Sequence, residues 1–390
     1  VRLRRIANMG QIIQSHALSF FHLSSPDFLL GFDADPAMRN VFGLMEAEPE
    51  LARRGIRLRG FGQSVIESIA GRKVHSPGIV PGGIAEPMTE ETRLELLGGL
   101  DEAYETATIA LELFVKMLDG FEREVRAFGE FPSYFLALAN DSGTWEHYDG
   151  HLKVIDSAGD IAADGVPVSE YRSLVGEASN VDSYLKSPYF KPAVADDDPI
   201  TDGMYRVGPL ARVNMATAMG SPSADAAQAE FKNRADGIAT SSFFFHYARL
   251  IEVLACTEQM RTLLEHDHVT DAMVRASGGV NHRRAVGASE APRGTLFHEY
   301  HVDANGILDD VNMIIATGQN NLAMNATVHQ IAKEWIDGPE IPEGILNRVE
   351  AGIRAFDPCL SCSTHAIGQM PLVVTLVDSA GETVCERIRG

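Results

Sequence analysis

Near the end of the chain the sequence reads Asp357-Pro358-Cys359-Leu360-Ser361-Cys362-Ser363-Thr364-His365, which puts two thiols and an imidazole in one short stretch. A Cys-x-x-Cys step lets both sulfurs turn toward one point, so a soft metal ion can be held without a ligand from a distant element. Only two other cysteines occur, Cys256 and Cys385. Taken alone the step is ambiguous, because structural zinc sites and thioredoxin-like redox pairs share it. Other motifs fail on their own physics. Gly60-Phe61-Gly62 lacks the third glycine and the preceding strand of a dinucleotide fold. His298-Glu299-Tyr300-His301 does not have zincin spacing, and in a strand its two imidazoles face opposite ways. The sequence contains no P-loop.

The chain around this cluster can bury a sizeable core, with 390 residues of which 45% are hydrophobic. Its 54 acidic against 33 basic side chains leave a formal charge of −21, which argues against nucleic acid or an anionic membrane as a partner. The most apolar stretch, residues 240–254, is interrupted by His246, Arg249 and Glu252, so no membrane span is expected. So few cysteines do not make a disulfide framework and fit a reducing, cytoplasmic setting.

The elements that must position the cluster read as mostly helical. Apolar residues recur at helical spacing over residues 1–23, which should end at Ser24-Ser25-Pro26, and over 94–118, where Thr89 followed by Glu90 and Glu91 makes a capped start. The second helix is expected to break at Gly98-Gly99. A Gly/Pro-rich loop covers 71–87, an irregular region 131–205 with a solvated acidic run at 196–198, and a helical block 223–265 with Cys256 in the core. Alternation from Gly294 puts Leu296, His298, Tyr300 and Val302 on one side, and Asn305-Gly306 signals a hairpin. Helices are expected near 319–336 and 343–356, the second leading directly into the cysteine loop.

Several separate motifs accompany that loop in a fixed order: Gln14-Ser15-His16-Ala17-Leu18-Ser19-Phe20-Phe21-His22-Leu23, Gly71-Arg72-Lys73-Val74-His75 through Pro81-Gly82-Gly83, Gly208-Pro209-Leu210-Ala211-Arg212-Val213-Asn214, Glu290-Ala291-Pro292-Arg293-Gly294 and Ala316-Thr317-Gly318-Gln319-Asn320-Asn321. Over essentially its whole length the chain resembles the large subunit of [NiFe] hydrogenases, most closely the cytosolic, bidirectional NAD(P)-linked branch. The resemblance implies a mainly α fold, a large helical bundle with small peripheral β hairpins. It also implies a Ni–Fe centre with cyanide and carbonyl on the iron, in which Cys359 is a terminal nickel ligand and Cys362 bridges the two metals. Arg293, paired with Asp357, would lie over the open side of the metals, with Pro292, Thr317 and His16 around the site. His365 would stand near a magnesium or iron ion. The implied partners are a small subunit carrying the iron–sulfur clusters and diaphorase or other NAD(P)-reducing subunits. This chain has no cysteines left for a cluster and no fingerprint for NAD.

The family's mature chain stops at the histidine matching His365. Residues 366–390 therefore resemble the peptide that a maturation endopeptidase removes by cutting between His365 and Ala366, leaving a catalytic domain at 1–365. The family's nickel has four cysteines, and its first Cys-x-x-Cys is absent here. The chain is thus expected to be a fragment lacking an upstream segment, inactive without it. The alternative reading is a non-catalytic scaffold, related to the quinone-site subunit of complex I or holding zinc at Cys359, Cys362 and His365.

Overall fold

A computed structural model describes residues 1–180, 183–194, 202–279, 282–359 and 372–389. The helices are α1 (Arg2–Ala17), α2 (Ser25–Leu29), α3 (Val41–Ala47), α4 (Pro49–Ala70), α5 (Glu90–Leu118), α6 (Glu122–Ala127), α7 (Pro209–Met215), α8 (Pro222–Arg234), α9 (Phe244–Leu264), α10 (Ala316–Gln319), α11 (Asn321–Trp335) and α12 (Glu343–Ala355). The mainly α expectation holds, with small sheets arranged around a helical core.

α1 and α4 cross with their backbones nearly touching, and glycine is what permits it. A Cβ on Gly62 would lie 2.7 Å from the Gly10 carbonyl oxygen, and one on Gly55 would lie 2.4 Å from the Phe21 ring. α1 does not stop at Ser24-Ser25-Pro26 as its sequence suggests. It widens into a π-helical turn, Leu18–Ser24, and continues into α2 with Pro26 in the first turn, where the missing N–H costs no bond. Within the turn, adjacent Phe20 and Phe21 are both buried, with ring centroids 5.2 Å apart, edge to face.

α5 starts where expected, with the Thr89 hydroxyl accepting the Thr92 N–H at 3.1 Å. The expected break at Gly98-Gly99 does not occur. Gly99 instead makes room for Phe61 of α4, whose ring would be 2.8 Å from an added Cβ. The block expected over 223–265 is two helices, α8 and α9. α9 runs through the centre of the molecule, buried on every side from Phe244 to Thr257, and carries Cys256 in the core.

The region read as irregular, 131–205, contains most of a sheet. β3 (Tyr134–Ala139), β4 (His151–Ile155), β5 (Ile161–Val166) and the two-residue β8 (Tyr205–Arg206) form it in the order β5-β4-β3-β8, while β6 (Val175–Asn180) pairs with β7 (Ser183–Phe190). β3 is buried on both faces and so shows no alternation to read. The acidic run at 196–198 lies outside the described residues.

β9 (Arg284–Ala291), β10 (Gly294–Val302) and β11 (Leu308–Ile314) form an antiparallel sheet, with Asn305 and Gly306 in the turn between the last two, as their sequence signals. Its buried face is Thr295, Phe297 and Glu299, opposite to the face bearing Leu296, His298 and Tyr300. In the Gly/Pro-rich loop, β1 (Ile79–Val80) pairs with β2 (Gly83–Ile84). At the C-terminal end β12 (Leu372–Val377) and β13 (Thr383–Arg389) form a hairpin whose Leu372, Val374, Leu376 and Cys385 pack on the helical core.

Candidate active site

Three chain segments that are far apart in sequence meet around Arg293. Pro292 and Arg293 are the two residues of the turn between β9 and β10, which closes with Ala291 paired to Gly294. Facing them is the end of α12, where Asp357 takes a left-handed conformation, φ 53°, and turns the chain out of the helix. The Arg293 Nε donates to the Asp357 carbonyl oxygen, and its Nη2 donates to Asp357 Oδ1 at 3.2 Å. The third segment is α10. Its Thr317 hydroxyl accepts the backbone N–H of Cys359 at 3.2 Å, which ties the start of the cysteine loop to the same place.

Asp357 is buried, and its Oδ2 has no hydrogen-bond partner among the described residues. Burial raises its carboxyl above the ordinary range, against the pull of Arg249 and Arg293. Arg249 of α9 is itself fully buried and donates to the Ala355 carbonyl at 2.5 Å, and burial lowers it to about 10 despite the charge of Asp357. Two cations therefore flank one carboxylate.

Behind the turn lies a second buried cluster. Arg212 of α7 donates to Glu252 of α9 through Nε at 2.5 Å and Nη2 at 2.7 Å, and to Glu290 of β9 through Nη1 at 2.8 Å. Glu252 also binds the Trp145 Nε1–H and the His16 Nε2, each at 2.8 Å. Burial opposes ionisation of Glu252, but Arg212 and His16 outweigh it and hold the carboxyl at about 2. The glycines of two motifs explain the close fit of turn to helix. A Cβ on Gly208 would lie 2.8 Å from the Arg293 carbonyl oxygen, and one on Gly294 would lie 2.3 Å from the Val207 side chain.

Of the residues singled out in the sequence, Arg293, Asp357, Pro292, Thr317 and Cys359 come together here. His16 stands in the deeper cluster, bound to Glu252. Cys362, His365 and Ala366 lie outside the described residues. Arg249 and Glu252 were visible in the sequence only as charges that interrupt an apolar stretch, and Glu290 only as a letter in a motif. Among the described residues no three His, Cys, Asp or Glu side chains form a metal-binding group. What is described fits one side of a thiolate-held metal centre: a half-buried thiol on a loop anchored at Thr317, beside a fixed guanidinium and a buried carboxylate with one oxygen that has no partner among the described residues.

A family model described as nickel-dependent hydrogenase matches residues 153–365. The β subunit of the NAD-reducing hydrogenase HoxS of Cupriavidus necator is 37% identical over 399 residues, covering 100% of this chain and 80% of that protein. This chain belongs to the nickel-dependent hydrogenases. The matching polypeptide of the F420-non-reducing hydrogenase of Methanothermobacter marburgensis is also 37% identical, over 98% of this chain and 80% of its own length. Among solved structures, an NAD+-reducing [NiFe]-hydrogenase in the H2-reduced state superposes with a TM-score of 0.89 at 40% identity, covering 93% of this chain and 80% of that one. The hydrogenase is thus a large-subunit fold with a catalytic lineage, and the scaffold reading gives way to it. No helix among its described residues is long and apolar enough to cross a membrane.

The buried imidazoles of the hydrogenase make its stability depend on pH. Burial lowers His16 from 6.5 to about 4, against the pull of Glu252 and with help from Arg249 and Arg212, and burial likewise lowers His147 to about 4. Between those values the unfolded chain binds more protons than the folded one, so stability rises with pH through the window and is level above it. Acidifying from about pH 7 to about pH 4 is expected to cost roughly 3 kcal/mol per ring. The urea midpoint of the metal-free protein, compared across the window with that of a His147→Gln variant, reads the share of that ring, and a difference between the two that does not change with pH would mean that the ring reaches water.

Proposed function

We propose that this chain splits and forms dihydrogen reversibly at a Ni–Fe centre and, through partner subunits, exchanges the electrons with NAD(P). The observation that carries the proposal is the meeting of the Pro292-Arg293 turn with Asp357 and Cys359, in a chain similar over 93% of its length to an NAD+-reducing enzyme. Cys359 and Cys362 would hold the nickel and iron through their thiolates, with cyanide and carbonyl on the iron. His365 would stand by a magnesium or iron ion. When bound, the centre supplies the Lewis-acid and redox chemistry that converts dihydrogen to two protons and two electrons.

The chain's own residues contribute orientation and charge. The Arg293 guanidinium is fixed at two points by Asp357 and so presents N–H donors and a permanent positive charge that need not reorganise as charge develops beside it. Pro292, buried behind it, keeps water from the back of the turn. Thr317 sets the backbone of Cys359 and through it the direction of the thiol. Electrons would leave through the clusters of a small subunit toward NAD(P)-reducing subunits in the cytoplasm. Residues 366–390 would be removed after His365 by a maturation endopeptidase, leaving residues 1–365 as the catalytic domain.

The test is to purify the assembled, processed enzyme and measure its metals, its mass and its hydrogen-dependent reduction of NAD+ and NADP+. Nickel with iron, a large subunit ending at His365 and nucleotide reduction under hydrogen are expected. Zinc or no metal would overturn the hydrogenase reading. Hydrogen-dependent dye reduction without nucleotide reduction would overturn the NAD(P) link alone, and an active subunit that still carries the tail would overturn the cleavage.

A further inference from the structure

The turn that presents Arg293 is clamped from behind by a side chain to which the reaction so far gives no role. Arg212 has five N–H donors, and every one is used. Three go to the carboxylates of Glu252 and Glu290, and the other two go to the turn itself, Nη1 to the Ala291 carbonyl at 2.9 Å and Nη2 to the Pro292 carbonyl at 3.1 Å. Those are the two peptide groups immediately before Arg293. Each carboxylate is fixed in turn. Glu252 accepts from Trp145 and bonds His16, and Glu290 accepts the Leu138 N–H at 2.8 Å and the Thr295 hydroxyl at 2.7 Å.

A buried ionic cluster is a poor way to gain stability, since well-packed apolar residues of the same volume often do as well or better. It is a good way to fix direction. The guanidinium is a rigid plane, so the elements that hold the two glutamates set the angle at which its remaining N–H groups meet the turn. Gly208 approaches the Arg293 carbonyl from the same side, at the start of the helix that carries Arg212. The Arg293 backbone is therefore held on the Arg212 side and its side chain on the Asp357 side.

We propose that Arg212 is a positioning residue that acts through Arg293, its planar fork setting the height of the Pro292-Arg293 turn over the reacting centre. The inference rests on Arg293 working at that centre. Lysine at 212 keeps the buried positive charge but has three donors and no plane, so it cannot hold both glutamates and both carbonyls at once.

The assembled holoenzyme with Arg212→Lys should keep its nickel and lose roughly 10- to 100-fold in hydrogen turnover, the usual cost of displacing a reacting group by about 1 Å. Amide exchange in residues 290–296 should be faster in the variant, with and without nickel. The deciding comparison is made in an Arg293→Lys background, where Arg212→Lys should lower the rate by less than about twofold because the group it positions is already gone. An equal loss in both backgrounds, or unchanged exchange in the turn, would overturn the proposal while leaving Arg293 in place. Wild-type turnover for Arg293→Lys alone would instead remove the reading on which it rests. Should Arg212→Lys fail to assemble, Arg212→Gln with Glu252→Gln removes that ion pair, leaves Glu290 its bonds from the Leu138 N–H and the Thr295 hydroxyl, and is read by the same comparison.

Discussion

In the assembled enzyme Arg293→Lys is expected to bind nickel normally and to turn over hydrogen roughly 10²- to 10³-fold more slowly, the loss typical of removing one preorganised donor from a reacting centre. Charge is conserved in this substitution. What disappears is the two-point attachment to Asp357, in which Nε meets the backbone carbonyl and Nη2 meets Oδ1 at 3.2 Å. An ammonium on a flexible stem can reach one of these acceptors but is not held at a fixed height by both. The Arg293 side chain is 23% exposed but Asp357 only 4%, and lysine keeps a positive charge beside that buried carboxylate, so little stability should be lost. Stability and turnover should therefore separate. A small change in thermal midpoint with a large loss of rate, normalised to bound nickel, places Arg293 at the chemistry. Equal rates would reduce it to a partner of Asp357.

Cys359→Ser should have the larger consequence, because in the proposed site it removes a ligand rather than an orienting group. A serine hydroxyl does not ionise near neutral pH and is a hard oxygen donor where a soft thiolate is wanted. Nickel per large subunit is expected to fall by more than roughly tenfold, and hydrogen activity with it. Cys359 is half-buried at the start of a loop, so the metal-free fold should tolerate the change. Cys256 provides the contrast. It is fully buried on α9, and burial raises its thiol well above the usual value. Cys256→Ala is expected to keep nickel and turnover while losing about 1 kcal/mol of stability. Nickel lost from Cys256→Ala but kept by Cys359→Ser would reverse the assignment.

The helices that position this site were legible because each carries its own signal. α5 shows period and cap together, and α12 ends directly at the cysteine loop. Errors arose where a local rule met a tertiary need. Pro26 reads as a stop but sits in the first turn of a continuing helix, and Gly98-Gly99 reads as a break but makes room for the Phe61 ring. The sheet within 131–205 is hidden from the sequence for two reasons. β3 is apolar on both faces, and β8 is two residues long and pairs in parallel with a strand about seventy positions earlier. Neither leaves a periodic trace.

The chemistry proposed for the site is written locally, in the types and spacing of Cys359 and Cys362 and in short motifs whose order marks the family, because ligand softness and chelate reach depend on neighbouring residues alone. The arrangement around it was not. Arg293 and Asp357 are 64 positions apart, and Arg212, Glu252, Glu290 and His16 come from four different elements. A buried charge is tolerable only when its partners are brought to it, and no single segment holds them all. That pairing exists only once α1, α7, α9 and β9 have packed, which is why the donors that hold the Arg293 turn could be named from the folded chain and not from its letters.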